Sequence, residues 1–294
     1  MAATYIEVAS DADTITFHAT PDITGYVYDN ETLEYWYALA EVETNLDKRP
    51  NAHGAFPLGT VYLQEHRPLL VGQFYGSTSL DALLARERLS ALFNSGQTVT
   101  LRVVDELRAT SRTVQLVNFE APFRHGFEWF PFDLAFVATD PRRYDATIVV
   151  GPEALPASGT GLVWNLGTAG SGLFFDWGTV GTLGQVAFTN TGITETYPRI
   201  EVGGGGAFLG GFYVTEIETG RSLRYERATY PGEVVVFDSR TQRATLNGAD
   251  VTGGLSRREW FTVPSGATRR YQINSIGSTS GAVAITLYAA PAYL

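Results

Sequence analysis

The sequence predicts a mainly β protein in two domains, on three observations. Apolar and polar residues alternate over much of the chain, as at Val99, Leu101 and Val103 in TVTLRVVD and at Phe130, Phe132, Leu134 and Phe136 in WFPFDLAFVA. That is the period of a half-buried strand. Short apolar runs are punctuated by 31 glycines, as tight turns require. Only STSLDALLARERLSALF, residues 77–93, reads as a helix. The expected architecture is a β-sandwich-like N-terminal domain with one α-helix, residues 1–147, followed by a second β-sandwich, residues 148–294.

With 294 residues the chain is long enough for two ordinary domains, each burying about two thirds of its unfolded surface. Cysteine is absent, which excludes disulfides and thiolate metal sites and leaves stability to packing. The start, MAATYIEVASDADTITF, lacks a basic region, and no window approaches 18 uninterrupted apolar residues. The chain is therefore expected to be soluble, without a secretion signal and without a membrane partner. Lys48 is the only lysine among 21 basic residues, a bias that reports GC-rich coding rather than mechanism.

The net charge of −10 is unevenly placed: residues 1–150 hold 20 acids and 11 bases, and residues 151–294 hold 11 and 10. Glu7, Asp11, Asp13, Asp22, Asp29, Glu31, Glu34, Glu41, Glu43 and Asp47 all precede the first basic residues, Lys48 and Arg49. An acidic leader of this kind repels nucleic acid rather than gripping it, and as a solvated face it favours solubility.

Strands are expected at TVTLRVVD, RTVQLV and WFPFDLAFVA. The helix precedes them, with Ser77, Thr78 or Ser79 as N-cap, Asp81 in the first turn and Asn94-Ser95-Gly96 as the stop. At about 100° per residue, Leu80, Leu83, Leu84 and Ala91 form one apolar arc, and Ala82, Ala85, Leu89, Leu92 and Phe93 form another nearly opposite. A surface helix needs one such stripe, so the second calls for a cover, either a neighbouring subunit or a long loop of the same domain. Beyond it, Pro152, Pro156, Ser158 and Gly159 mark a linker near 147–160. Strands then follow at YPRIEV, FYVTEIE, EVVVFD, RATLNG, EWFTV, RYQINSI and AVAITLYA, a spacing that reads as a sandwich.

Little in the chain points to chemistry. His18, His53, His66 and His125 show no metal-ligand spacing. GSTSG at 277–281 has Thr279 where a nucleophile elbow needs serine, and reads as a hairpin turn. GGGGAFLGG at 203–211 lacks the Gly-Lys-Ser/Thr ending of a phosphate loop and reads as a flexible loop. Glu216 with Glu218, or Asp105 with Glu106, have the composition of a glycosidase pair, as any acid-rich chain does by chance. Trp164, Trp177 and Trp260 have the chemistry to stack on sugars, although aromatics in sandwiches more often belong to the core. The expectation is no enzymatic activity, with no catalytic residues, no metal and no cofactor.

The order of segments carries more. KRPNAHGAF (48–56), RPLLVGQFYG (67–76), the helix, TVTLRVVD, RTVQLVNFEAPF and FDLAFVATDPRRY (132–144), with Asp140, Pro141 and Tyr144 closing the last strand, resemble the N-terminal domain of the distal tail proteins of long-tailed bacteriophages. NTGITETYPRIEVGG (190–204), GEVVVFDSRTQRATLNG (232–248) and SRREWFTVPSGATRRYQI (256–273) resemble that family's C-terminal galectin-like β-sandwich. The stretch 160–185 is richer in Gly and Trp than the family pattern, and the acidic leader is longer.

The resemblance implies a structural virion protein at the distal end of the tail, made in the host cytoplasm. Six copies would form a homo-hexamer ring through residues 1–147, with the sandwiches outside, the tail tube protein above and the tail hub or tip protein below. DNA would pass through the central channel without specific binding, along a lumen that the acidic leader is a candidate to line. A helix with two apolar faces then suits packing inward and across at once, and Leu89, Leu92 and Phe93 are the candidate subunit-interface residues. The alternative reading is a carbohydrate-binding module recognising a host-surface glycan through the C-terminal sandwich.

Overall fold

The computed structural model describes residues 4–11, 13–20, 24–43, 62–92, 97–157, 163–164, 175–176 and 181–294. The chain is mainly β, as expected, and divides into two compact units: Met1–Ala146 with Tyr293–Leu294, and Thr147–Ala292.

In the first unit β1 (Tyr5–Ala9), β2 (Thr14–His18) and β3 (Gly25–Tyr28) lead into helix α1 (Asn30–Tyr37), the short strands β4 (Val42–Glu43) and β5 (Tyr62–Leu63), and β6 (Leu69–Tyr75). Helix α2 (Ser79–Ala91) precedes β7 (Thr98–Val104), β8 (Ala109–Glu120), β9 (Trp129–Val137) and β10 (Arg143–Tyr144). Neighbouring strands run β8-β7-β1-β2-β3-β6-β9, and β9 pairs back onto β8, so seven strands close on themselves. The unit is a barrel and carries two helices, where a sandwich-like domain with one helix is expected from the sequence. Closure depends on β8, which pairs with β7 over Ala109–Gln115 and with β9 from Gln115 to Glu120, with a register shift between Leu116 and Asn118. A bulge at that point bends the strand and lets it serve both neighbours.

One side of each strand faces inward and buries Ile6, Val8, Ile15, Phe17, Val99, Leu101, Val103, Phe130, Phe132, Leu134 and Phe136. Phe17 meets Tyr26 and Phe132 at centroid separations of 5.2 and 5.4 Å, and Tyr26 meets Phe74 at 4.9 Å, the tilted and edge-on geometries that aromatic quadrupoles favour. Space for these rings comes from Gly72 in the middle of β6, where a Cβ would lie 2.0 Å from the Val27 carbonyl oxygen and 2.7 Å from the Phe132 ring.

The helices close opposite ends of this barrel, because α1 continues from the end of β3, α2 from the end of β6, and those strands are antiparallel. In α1 only Thr32 and Trp36 are buried, too sparse a pattern to signal a helix in the sequence. Thr32 Oγ1 donates to the Val71 carbonyl (3.1 Å) and accepts from the Val71 N–H (3.0 Å). Beneath Trp36 lies Arg112, a buried inward-facing charge of β8 whose guanidinium stands 4.6 Å from the indole and donates to the Trp36 and Pro141 carbonyls.

In the second unit the expected linker 147–160 contains a strand, β11 (Ile148–Ala154). Then come β12 (Val163–Trp164), β13 (Phe175–Asp176), β14 (Gln185–Thr189), β15 (Arg199–Gly204), β16 (Ala207–Phe208), β17 (Phe212–Glu216), β18 (Ser222–Tyr225) and β19 (Val234–Asp238). The chain continues through β20 (Arg243–Leu246), β21 (Ala249–Asp250), β22 (Leu255–Arg258), β23 (Thr268–Ser275), β24 (Thr279–Ser280), β25 (Val283–Ala289) and β26 (Ala292–Tyr293). Two sheets, ordered β14-β23-β17-β18-β22 and β11-β25-β15-β19-β20-β21, enclose one core. Phe212 of one sheet meets Phe237 of the other at 5.9 Å, which is sandwich packing. The glycine run expected as a flexible loop is packed structure: Gly203 and Gly204 end β15, and Cβ atoms on Gly204 and Gly206 would lie 2.5 and 2.2 Å from the Ala282 and Ser280 carbonyl oxygens.

Candidate subunit interface

Helix α2 starts as its sequence indicates, while the expected stop at Asn94-Ser95-Gly96 lies outside the described residues. Thr78 is the N-cap, its Oγ1 accepting from the Asp81 N–H at 3.1 Å, and Arg88 near the other end holds Asp13 through two contacts of 2.5 and 2.7 Å. The Arg88 hydrogen bond draws the Asp13 carboxyl below its usual range, but both groups are well exposed, so the pair contributes little to stability. The helix is seated by Tyr26 Oη donating to the Ala85 carbonyl and by Arg86 Nε donating to the Ala121 carbonyl, both at 2.7 Å.

This seating decides which apolar arc faces the barrel. Ala82, Leu89 and Leu92 are inside, with Leu89 at 0% and Leu92 at 3% exposure, and Ala85 packs beside them. Leu89 and Leu92, nominated from the sequence as contacts with a neighbour, are therefore core residues of their own unit, and Phe93 lies outside the described residues. The opposite arc is the open one, with Leu80 61%, Leu83 38% and Leu84 54% exposed. Water-facing leucines at i, i+3 and i+4 form the kind of ridge that a partner surface covers.

The barrel wall adds further apolar surface. Because Phe130 and Phe132 point inward, Trp129 and Pro131 point outward. Trp129 and Phe127 meet edge-on at 6.4 Å and, with Pro122, Arg124 and Pro131, border a depression of about 220 Å³. A second depression of about 310 Å³ lies among Pro68, Leu69, Val117, Ala135 and Val137. Val117, 69% exposed, sits within the β8 register shift. Alternation already assigns both residues to the outer face, Trp129 beside inward Phe130 and Val117 beside Val114 and Leu116, while the bulge brings Phe119 to the core side.

A third depression, about 390 Å³ and bordered by Tyr35, Leu39, Glu41, Gln64 and His66, lies at a buried imidazole. His66 Nε2 is 3.0 Å from the Ala38 carbonyl, and the His66 backbone exchanges two hydrogen bonds with Ala138. Burial first, and the nearby Arg112 charge second, push its pKa down from 6.5 to about 4. The folded state thus binds this proton less readily than the unfolded chain, so its contribution is complete above pH 6.5 and is lost as pH falls toward 4. Urea titration should show wild type losing about 2–3 kcal/mol more than His66→Gln between pH 7 and pH 4.5; parallel losses would contradict this environment for His66.

The other nominated groups do not converge. Glu216 is buried against Arg269, while Glu218 faces outward and binds Arg270, so the two carboxylates share no cleft. Asp105 caps the β7–β8 turn. Trp260 packs on the second core, and the side chains of Trp164 and Trp177, like His53, lie outside the described residues. Among the described residues no group of three or more His, Asp or Glu is placed to hold a metal.

No protein-family model matches the sequence, and no curated protein matches it. Solved structures do. The SPP1 Dit protein, described as a paradigm of the hub adsorption apparatus of phages infecting Gram-positive bacteria, superposes with a TM-score of 0.57 at 12% identity, over 98% of this chain and 99% of that one. Chains of the phage P2 baseplate in its activated conformation, with calcium and with strontium, give TM-scores of 0.55 and 0.53 at 10% identity, over 96% of this chain and 97% of theirs. At such identities the likeness is one of fold, and it runs nearly end to end: this chain has the fold of the Dit-like phage tail proteins.

Proposed function

We propose that the chain is a non-enzymatic structural component of a phage virion, the distal tail ring, acting by assembly and geometry. The single observation that carries this reading is the likeness to the SPP1 Dit protein over 98% of the chain. In this reading six copies close a ring through the barrel unit, the tube protein docks above and the hub or tip protein below, and the galectin-like sandwich projects outward. The exposed arc of α2 supports it, since a closed ring needs surplus apolar surface on each subunit. Glu7 and Asp13 are neutralised by Arg102 and Arg88, so any acidic lining of the channel comes from the rest of the leader.

Native mass spectrometry and negative-stain microscopy of the purified chain test it: six-copy rings are expected, and a monomer at micromolar concentration would overturn the reading. The double variant Leu80→Asp/Leu84→Asp should keep its barrel intact while weakening assembly at least about 100-fold, since each buried leucine contributes about 1.5–3 kcal/mol. Rings that persist undiminished would remove α2 from the contact. Selective glycan-array binding by the full chain, lost when residues of the sandwich are altered, would instead favour the carbohydrate-binding alternative.

A further inference from the structure

The end of the chain returns to the beginning. Tyr293 and Leu294 group with the first unit, whose sheet carries β26 as its outermost strand, laid on β10 beside β8. Specific ties hold Tyr293 and Leu294 there. The Arg108 guanidinium stands 4.0 Å from the centre of the buried Tyr293 ring. Arg143 donates through Nη2 to the Leu294 carbonyl and lies 4.7 Å over the Tyr37 ring of α1. Tyr37 in turn donates to Asp105 Oδ2, and Asp105 Oδ1 accepts from the Leu107 and Arg108 N–H groups, both at 2.7 Å, fixing the β7–β8 turn.

Two guanidinium groups are thereby held at the α1 end of the barrel. Burial, and with it the charge of Arg108, pulls the Arg143 pKa down, so the site is favourable only if electron-rich groups face both cations. Tyr37 and Asp105 provide some of these from within the barrel. The Tyr293 ring and the Leu294 carbonyl provide the others, and they come from the far end of the chain.

We propose that Tyr293–Leu294 is a latch that completes the first unit: the α1 end and the β7–β8 turn become fully ordered only when the last residues return to Arg108 and Arg143. Residues 147–292 intervene between the two parts of this unit. The seven-strand barrel closes within residues 5–137, but the first unit as a whole is incomplete until the second has been synthesised.

The test is segment-resolved hydrogen exchange on the full chain. Tyr293→Ala should lower protection about tenfold or more at 105–112, at 143–144 and in α1, the loss expected for a desolvated cation–π contact. Tyr293→Phe, which keeps the ring face, should stay native in the same segments, and Arg108→Gln should loosen them as Tyr293→Ala does. Protection in β2 and in β25 should not change. Undiminished protection at 105–112 in Tyr293→Ala, or a loss confined to β25, would overturn the proposal.

Discussion

Leu89→Asp should leave the first unit without a cooperative unfolding transition and the chain largely insoluble. Leu89 is fully buried among Ala82, Leu92 and the barrel aromatics, so the substitution removes a core leucine, worth about 3–5 kcal/mol, and puts an unpaired carboxylate in its place. The sum exceeds about 5 kcal/mol, comparable with the whole stability of a domain of this size. Leu84→Asp, one turn away on the open arc, should change stability by no more than about 0.5 kcal/mol. Soluble yield and exchange protection in β6 and β9 distinguish the two. A soluble, barrel-protected Leu89→Asp monomer, the outcome expected had Leu89 faced a neighbour, would show that α2 is not seated as described.

The second large effect belongs to the sandwich. Glu216 is buried, and Arg269 Nε stands 3.0 Å from its Oε1, while Thr219 donates to its Oε2. Arg269→Met removes the only cation of this pair and strands a carboxylate in the interior next to the buried Tyr271. Breaking such a pair costs about 3–5 kcal/mol, while replacing both partners is far milder. Protection in β17 and β23 should therefore collapse in Arg269→Met and largely recover in Glu216→Gln/Arg269→Met. Equal losses in the single and double variants would mean that the Arg269 stem, not its charge, matters.

Much of this was legible in the strands. Val99, Leu101 and Val103 alternate in the sequence and in space, and so do Phe130, Phe132, Leu134 and Phe136, because a strand resting on a core must present every second residue to it. The Thr78 cap and Asp81 marked the start of α2, because a helix terminus must satisfy its free N–H groups locally. α1 was not legible, since only Thr32 and Trp36 of its eight residues are buried, too few to set a helical apolar period. Nor was the buried Arg112, whose acceptors, the Trp36 and Pro141 carbonyls, are remote in sequence.

By itself the sequence determined that the chain is mainly β, which residues share a face of each strand, that α2 has two apolar arcs, and that no thiol chemistry is possible. These are local properties, set by side-chain period and residue type. Only the tertiary structure decided that seven strands close into a barrel, that Leu89 turns inward while Leu80, Leu83 and Leu84 stay open, and that Tyr293 and Leu294 rejoin the first unit. Each of these depends on contacts between residues far apart along the chain, where the β8 bulge, the Gly72 gap and the paired arginines select one arrangement among several that the same periodicity allows.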